Sequence, residues 1–255
     1  MKKMISVLLI CIWSIVFSAG VAAAAERPRG NVTNQSFGAA KKVLWSAVYH
    51  DYPATFYCGA NFEHKRIVRF NGYAPKRPGN RARRLEWEHV VPAHAFGQSF
   101  AAWRRGDRAC VDRKGKPYKG RNCARKASVH FRRREADMYN LVPAIGELNG
   151  LRSNYSFAVI PGEKRGFGTC DFEIENRKAE PAPKIRGDIA RIYFYMHAAY
   201  PGRGIISKKN CRLFAAWDRQ DPVDAMECER HRRIENIQGN ENPFTKAACE
   251  ALSGK

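Results

Sequence analysis

The chain has 255 residues, of which 45 are Lys or Arg and 24 are Asp or Glu, so its formal net charge is +21 at pH 7. Hydrophobic residues make up 44% of the chain and aromatic residues 11%, which excludes a disordered chain, a collagen-like repeat and a multi-pass membrane protein. The large positive charge predicts a polyanionic partner.

The first 25 residues have the pattern of a cleaved secretory signal. Lys2 and Lys3 precede an apolar run over residues 4–21, and small residues before Glu26 provide a cleavage site. The alternative is an uncleaved anchor, because the apolar run approaches the length that spans a bilayer. We predict cleavage, with residues 26–255 forming one exported domain. Removal of the signal takes away only two basic residues and leaves a net charge of +19.

Cysteine usage agrees with export. Seven of the eight cysteines follow the signal, and most cysteines of an exported protein form disulfides. A zinc site is the weaker alternative, because the sequence contains no CxxC pair. A bridge between Cys110 and Cys123 is the only pairing local enough to argue from the sequence.

The first half of the exported chain predicts one helix and a few strands. Apolar residues recur at helical spacing over residues 37–52, which indicates an amphipathic helix. Residues 53–84 are rich in Gly, Pro and Arg and predict at most short strands, around Phe56–Tyr57 and residues 67–70. The alternating run at residues 85–91, closed by a proline, predicts a strand that ends in a bend.

Residues 104–134 carry the densest charge, with 13 Lys or Arg and 2 Asp. Glycines and a proline predict loops or short strands here. A Cys110–Cys123 bridge would close a loop that concentrates like charges, as a polyanion-binding surface does. The alternative is a solvated surface that only aids solubility. Helices are predicted further along the chain, at residues 144–151, 187–200, 208–218 and 223–238.

One dipeptide could carry chemistry, because the sequence lacks the P-loop, GxSxG, GxGxxG and HExxH patterns. Glu88 and His89 precede Pro92, and phosphodiester cleavage needs a base that titrates near neutral pH and a ligand for a hard cation. A Glu-His pair by itself is more often structural. Strict strand alternation would also send the two side chains to opposite faces, unless the strand bends there.

Several long motifs resemble, in order, the bacterial periplasmic and secreted endonuclease I family. They are LEWEHVVPA at 85–93, EADMYNL at 135–141, PAIGELNG at 143–150, RSN at 152–154, RGDIAR at 186–191, IQGN at 237–240 and NPF at 242–244. The resemblance covers about residues 37 to 249. It implies an α+β, mainly helical single domain with a small ββα-metal (His-Me finger) active site, reinforced by disulfides.

The resemblance also implies an activity and a set of site residues. The activity is a Mg²⁺-dependent endonuclease that hydrolyses DNA, and also RNA, with little sequence preference, leaving 5′-phosphate and 3′-hydroxyl ends. Glu88 and Asn149 would hold one divalent ion, with Mn²⁺ or Ca²⁺ as alternatives to Mg²⁺. His89 would be the general base, Arg121 would contact the phosphate, and Glu135 would support the site.

The family pattern implies the pairs Cys110–Cys123, Cys58–Cys170 and Cys228–Cys249. Cys211 is an addition to that pattern. A further pair that many members carry is replaced here by Ala60 and residues near Asn71. The expected partners are double- and single-stranded DNA and RNA, with no membrane after signal cleavage, and the expected form is a monomer in the periplasm or outside the cell.

Several alternatives remain. His94 could be a second metal ligand, although we expect a surface or packing role, and Asn140 and Asn154 are expected to make structural or substrate contacts. A secreted, non-catalytic DNA-binding protein would explain the charge equally well. A cationic membrane-active protein would need a basic amphipathic helix, whereas the basic segment is interrupted by Gly and Pro.

Overall fold

The structure, a computed structural model, describes residues 30–77, 79–202 and 204–254. The predicted signal segment at residues 1–25 lies outside these described residues. Helices and short strands alternate along the described chain, which confirms the expected α+β class. In the same part of the chain, no helix combines the length and the apolar character needed to cross a bilayer.

The described α-helices, in chain order, are α1 (Phe37–Val43), α2 (Ala93–Gly97), α3 (Ala101–Arg105), α4 (Arg121–Ala127), α5 (Val129–Glu135), α6 (Gly146–Arg152), α7 (Arg186–Ala199), α8 (Lys208–Gln220), α9 (Ala225–Gln238) and α10 (Pro243–Leu252). The strands are β1 (Asn61–Glu63), β2 (Arg66–Arg69), β3 (Leu85–His89), β4 (Leu141–Ile145), β5 (Ser156–Phe157), β6 (Phe172–Glu175) and β7 (Lys178–Pro181). β1 pairs with β2 and β3 with β4, while β5, β7 and β6 form a three-stranded sheet in that order.

The N-terminal helix begins at a serine cap and changes its winding halfway. The side chain of Ser36 accepts a hydrogen bond from the Ala39 amide, and α1 continues directly into a π-helical turn over Leu44–Val48. Ala40, Leu44 and Val48 are buried. The predicted amphipathic helix is confirmed, although it ends at Val48 rather than at residue 52.

A ββα unit forms the centre of the fold. β3 pairs antiparallel with β4, from Leu85 opposite Ile145 to His89 opposite Leu141, and α6 follows β4 without a loop. The predicted strand and bend are confirmed. The Asn140 side chain donates to the carbonyl of Val91 and accepts from its amide, so it holds the bend in place. The helix predicted from residue 144 begins later, at residue 146, because the preceding residues pair with β3.

The basic segment is more helical than predicted. Residues 106–120 are irregular apart from an isolated bridge between Val111 and Pro117, as expected. Residues 121–134, however, form α4 and most of α5, so the prediction of loops or short strands is wrong there. Residues 121–134 contain no Gly or Pro, and Ser128 caps α5 by accepting from the amide of Phe131, which is buried.

The strand predicted at Phe56–Tyr57 is also wrong, because these residues lie in a turn. The amide of Phe56 donates to the carbonyl of Pro143, which ties the turn to β4. The strand predicted around residues 67–70 is confirmed as β2. Tyr57 is buried although it belongs to no strand, since its ring packs 4.6 Å from that of Phe172.

The C-terminal half confirms the predicted helices α7, α8 and α9. One apolar face of α7 is buried in the core and comprises Ile189, Ile192, Tyr193 and Met196. Phe214 and Trp217 of α8 are buried too. No prediction covered α10 or the three-stranded sheet.

Three disulfides join the described residues as the family pattern implies. They are Cys110–Cys123, Cys58–Cys170 and Cys228–Cys249. The first closes the basic loop and ends in α4, and the last ties α9 to α10. The local bridge argued from the sequence is therefore confirmed.

Candidate active site

An open cavity of about 1130 Å³ is lined by residues of α1, β3, α4 and α6. Within the described residues, its wall carries one carboxylate, Glu86, and seven cationic side chains. The cationic residues are Lys41, Lys42, Lys65, Arg81, Arg84, Arg121 and Arg152. Positive charge concentrated in a concave surface attracts polyanions.

His89 contributes its ring to this cavity from the last position of β3, although the residue is only 7% exposed. Its Nε2 lies 2.9 Å from the carbonyl oxygen of Glu135. Because a carbonyl oxygen only accepts, Nε2 carries the proton in this contact and Nδ1 keeps its lone pair. Burial, and after it the charge of Arg121, lower the pKa of His89 to about 3. The ring is therefore neutral at pH 7 and keeps a lone pair on Nδ1, although the lowered pKa makes His89 a weaker base than the near-neutral one expected from the sequence.

Glu135 connects the histidine to two arginines. Its carboxylate accepts hydrogen bonds from Nε of Arg121 at 2.6 Å and from Nε and Nη2 of Arg125 at 2.7 and 2.6 Å. Burial raises the pKa of Glu135, but the hydrogen bonds and charges of Arg125 and Arg121 outweigh it and leave the pKa below its ordinary value. The glutamate stays ionised and holds both guanidinium groups beside His89.

Arg121 begins α4 directly after Gly120, whose φ of 86° is a conformation that favours glycine. Its guanidinium carbon lies 5.5 Å from the ring centre of Phe37, and that ring lies 4.9 Å from His89. Nη2 of Arg121 is buried and has no hydrogen-bond partner among the described residues. One donor of this guanidinium is therefore unsatisfied, in a residue that lines the cavity.

Glu88 does not line the cavity. It is 1% exposed, and its Oε1 accepts from Tyr57 at 3.1 Å and pairs with Nη1 of Arg152 at 2.9 Å. Burial raises the pKa of Glu88 to about 7, against the opposing charge of Arg152. Its Oε2 is buried and, within the described chain, has no hydrogen-bond partner. A buried carboxylate oxygen without a protein partner can accept from a water or bind a cation.

Asn149 of α6 lines the cavity and makes its side-chain contact with a different carboxylate from the one expected. Its Nδ2 donates to Oε2 of Glu86 at 3.0 Å, and among the described residues no hydrogen bond joins Asn149 to Glu88. Glu86 is held in turn by Arg81 and Arg84 through four side-chain hydrogen bonds. Burial raises the pKa of Glu86, but these guanidinium contacts outweigh it and leave the pKa below its ordinary value.

Glu86 is a site residue that the sequence-based predictions did not include, although a signal was present. Residues two apart on a strand are expected to share a face, so strand alternation offered Glu86 as a companion of Glu88. The guanidinium of Arg152, also buried, donates to the carbonyls of His89 at 3.0 Å and Val90 at 2.7 Å and so secures the end of the strand. Arg152, the arginine of the RSN motif, thus has a structural role.

The remaining candidates divide between the cavity and the core. His94 is exposed in the cavity wall, where its Nε2 lies 3.2 Å from Nε2 of Gln98. Asn154 also lines the cavity, whereas Asn140 is buried and structural. Glu135 thus contacts both His89 and Arg121, and Asn149 lies in the same cavity as His89 and Arg121. Glu88 is buried and does not line the cavity.

The fold and the site define a class: an α+β domain built on a ββα unit, with a neutral histidine and an arginine lining a basic cavity. The family model for endonuclease I matches residues 46–249. The chain belongs to the endonuclease I family.

Individual relatives resemble the chain over most of its length. It is 41% identical over 243 residues to a periplasmic deoxyribonuclease of Aeromonas hydrophila, covering 92% of this chain and 95% of the relative. An extracellular deoxyribonuclease of the same organism is 42% identical over 225 residues, covering 85% and 91%. Endonuclease-1 of Buchnera aphidicola subsp. Acyrthosiphon pisum is 38% identical over 216 residues, covering 82% and 80%.

Proposed function

We propose that this chain is an exported endonuclease that hydrolyses phosphodiester bonds of DNA, and also of RNA, with His89 as the general base. One observation carries the proposal: the hydrogen bond from His89 Nε2 to the Glu135 carbonyl leaves the neutral ring able to accept a proton at Nδ1. The names of the Aeromonas and Buchnera relatives, deoxyribonucleases and an endonuclease, support the substrate class. The words periplasmic and extracellular in two of them support a location outside the cytoplasm.

The chain's own groups divide the work of hydrolysis. His89 takes a proton from the attacking water, which a neutral imidazole can do at pH 7. Arg121, which lines the cavity, contacts the negatively charged phosphate, and Glu135 keeps its guanidinium oriented. Expected products carry 5′-phosphate and 3′-hydroxyl ends.

A divalent metal ion fits the oxygen donors of this site. With Nδ2 of Asn149 bound to Glu86, the amide presents Oδ1, and Oε2 of Glu88 is a buried acceptor without a partner in the described chain. Hard cations such as Mg²⁺ take such carboxylate and amide oxygens, together with waters and substrate phosphate. Glu88 and Asn149 would therefore hold the ion, with Mn²⁺ or Ca²⁺ as alternatives. When bound, the ion would stabilise the negative charge on the departing 3′-oxygen.

The test uses purified protein without its signal and a supercoiled plasmid, with Mg²⁺ or with a chelator. We expect nicking and linearisation with Mg²⁺, and none after exhaustive chelation. His89→Ala should lower the cleavage rate about 100- to 10,000-fold, the range of a general base. His94→Ala is the matched control, since it alters a histidine in the same wall and should retain activity.

Each alternative function predicts a different experimental outcome. Plasmid that is retarded on the gel but never cut would identify a non-catalytic DNA-binding protein. Leakage of dye from anionic vesicles, without cleavage, would identify a membrane-active protein. A folded His89→Ala variant that cleaves at the wild-type rate would refute the assigned base. Parallel reactions with RNA decide whether RNA is a substrate.

A further inference from the structure

A second group of cavity residues lies apart from the hydrolytic groups. We call it the aromatic rim and define it as Phe37, Lys41, Trp45, His64 and Lys65, all of which line the cavity. The first three are four residues apart along the N-terminal helix, so they share one face of it. The rim begins at Phe37, whose ring contacts His89, and extends away from it towards β1 and β2.

Two uncommon backbone features create the outer end of the rim. Trp45 lies in the π-helical turn, a winding that is rare and often found at functional sites. His64, between β1 and β2, has a φ of 50°, which is uncommon for a residue other than glycine. Their rings lie 5.3 Å apart, and the Trp45 ring also lies 5.6 Å from the buried ring of Phe62. Trp45 is half-buried and His64 is exposed. The ring pair therefore packs on Phe62 on one side and is accessible to solvent on the other.

The charge around these rings indicates the chemistry of the occupant. Lys41 lies 4.7 Å from the Phe37 ring centre, and Lys65 is exposed beside His64. The only carboxylate in the described cavity wall, Glu86, is neutralised by two arginines. A ligand that suits this surface carries regular negative charge and flat rings with accessible faces. A single-stranded nucleic acid has both, whereas a duplex hides its base faces inside the stack.

We propose that the aromatic rim binds a single-stranded segment of the substrate, with a nucleobase stacked at Trp45 and His64 and phosphates beside Lys41 and Lys65. This inference rests on the proposed function, because the same strand continues past Phe37 to His89. It adds a base-binding subsite that recognises unpaired nucleotides without reading their sequence.

The test measures binding in a His89→Ala background, so that the ligand stays intact. Three labelled probes of about twelve nucleotides, a length within the reach of one single-strand-binding domain, are compared by fluorescence anisotropy: oligothymidylate, an abasic strand with the same number of phosphates, and a duplex. Trp45→Ala should weaken binding of oligothymidylate about 5- to 150-fold, the range of one base stacked on an aromatic side chain. It should leave binding of the abasic strand within about twofold, while Trp45→Phe should retain most of the affinity. Lys41→Gln should weaken both single strands.

Two further variants keep the test decisive. Tyr52→Ala removes an exposed aromatic ring outside the cavity and should change no affinity. His64→Ala alters an exposed side chain, so it should preserve the fold even if Trp45→Ala does not, and should weaken oligothymidylate selectively. Equal losses on oligothymidylate and the abasic strand, or no loss from any ring variant in folded protein, would overturn the subsite. These results are independent of plasmid cleavage, where failure would instead refute the proposed function.

Discussion

Nδ2 of Asn149 donates a 3.0 Å hydrogen bond to Oε2 of Glu86, and this contact decides which atom of the amide remains available. Because the amide group is fixed by its nitrogen, its oxygen is the atom presented to a ligand. Glu86 is rigid in turn, since Arg81 and Arg84 hold its carboxylate. The relationship makes Glu86 the residue that orients a predicted metal ligand.

Glu86→Gln should therefore weaken metal binding without removing a ligand. We expect the Mg²⁺ concentration for half-maximal cleavage to rise about 10- to 100-fold, the usual effect of losing a hydrogen-bond partner of a metal ligand. The rise in melting temperature on adding Mg²⁺ should shrink in parallel, which gives a readout independent of turnover. Glu63→Gln, an exposed change in β1 outside the cavity, is the control. An unchanged Mg²⁺ dependence in the Glu86 variant would contradict the orienting role.

Removal of the Cys110–Cys123 bridge should reduce both stability and activity. The bridge closes a loop with a sequence separation of 13, and a loop of that size corresponds to about 3 kcal/mol of unfolding free energy. Arg121 stands two residues before Cys123, so its position should loosen as well. Urea unfolding and the cleavage rate of a Cys110→Ser, Cys123→Ser double variant provide the measurements.

A Cys228→Ser, Cys249→Ser double variant is the matched control for that experiment. Its bridge ties α9 to α10, away from the cavity wall. Stability should fall by a similar amount, whereas the folded fraction should cleave at the wild-type rate. Equal losses of activity in the two double variants would show that the first bridge acts only through stability.

The basic loop should contribute to affinity through phosphate contacts that depend on salt. Arg113, Lys114 and Lys116 are exposed in the loop between Cys110 and Cys123. Replacing all three by Gln should flatten the plot of log affinity for duplex DNA against log salt, by about 0.9 for each phosphate that the loop neutralises. The same charge change at Lys208, Lys209 and Arg212, on α8 and outside the cavity, serves as the control. Identical slopes for the two triple variants would mean that the loop holds no phosphate.

Acid should destabilise the fold through a partly exposed ion-pair network that joins α9 to the chain after the π-helical turn. Arg233 contacts Asp51 and Glu229. The hydrogen bond from Arg233 lowers the pKa of Asp51, and hydrogen bonds from Arg232 and Arg233 lower that of Glu229 to about 2. Carboxyl groups with lowered pKa values stabilise the fold above their unfolded values near 4 and lose that contribution as the pH falls towards 2.

Arg233→Gln should consequently lower the melting temperature at pH 7 and have a smaller effect at pH 2. Thermal unfolding followed by circular dichroism across that range measures the difference. Solvent screens such exposed pairs, so the shift should be modest. Arg219→Gln, on the exposed end of α8, is the control. A stability loss from Arg233→Gln that does not depend on pH would assign its role to the hydrogen bond with the Val48 carbonyl instead.

The sequence predicted those structural elements whose formation depends on neighbouring residues. The alternation of residues 85–91 and the proline that follows fix a strand and its bend, and the apolar spacing of residues 187–200 fixes α7. The cysteine pairs follow the family pattern. Of the predicted site residues, His89 and Arg121 line one cavity, and Glu135 contacts both. Loops were wrongly predicted for the second half of the basic segment. Its glycines and its proline all lie before α4, and the buried side chain of Phe131 stabilises the helix that follows α4.

The net charge, the family and the identity of the candidate base were thus readable from the sequence itself. Only the tertiary structure decided that the proton of His89 lies on Nε2, that Asn149 is oriented by Glu86, and that Glu88 is buried against Arg152. These facts depend on contacts between residues far apart in the chain, such as Glu88 with Tyr57, 31 positions away, and Asn149 with Glu86, 63 positions away. Chain folding alone brings such groups to within hydrogen-bonding distance, so no periodicity or local spacing could predict them.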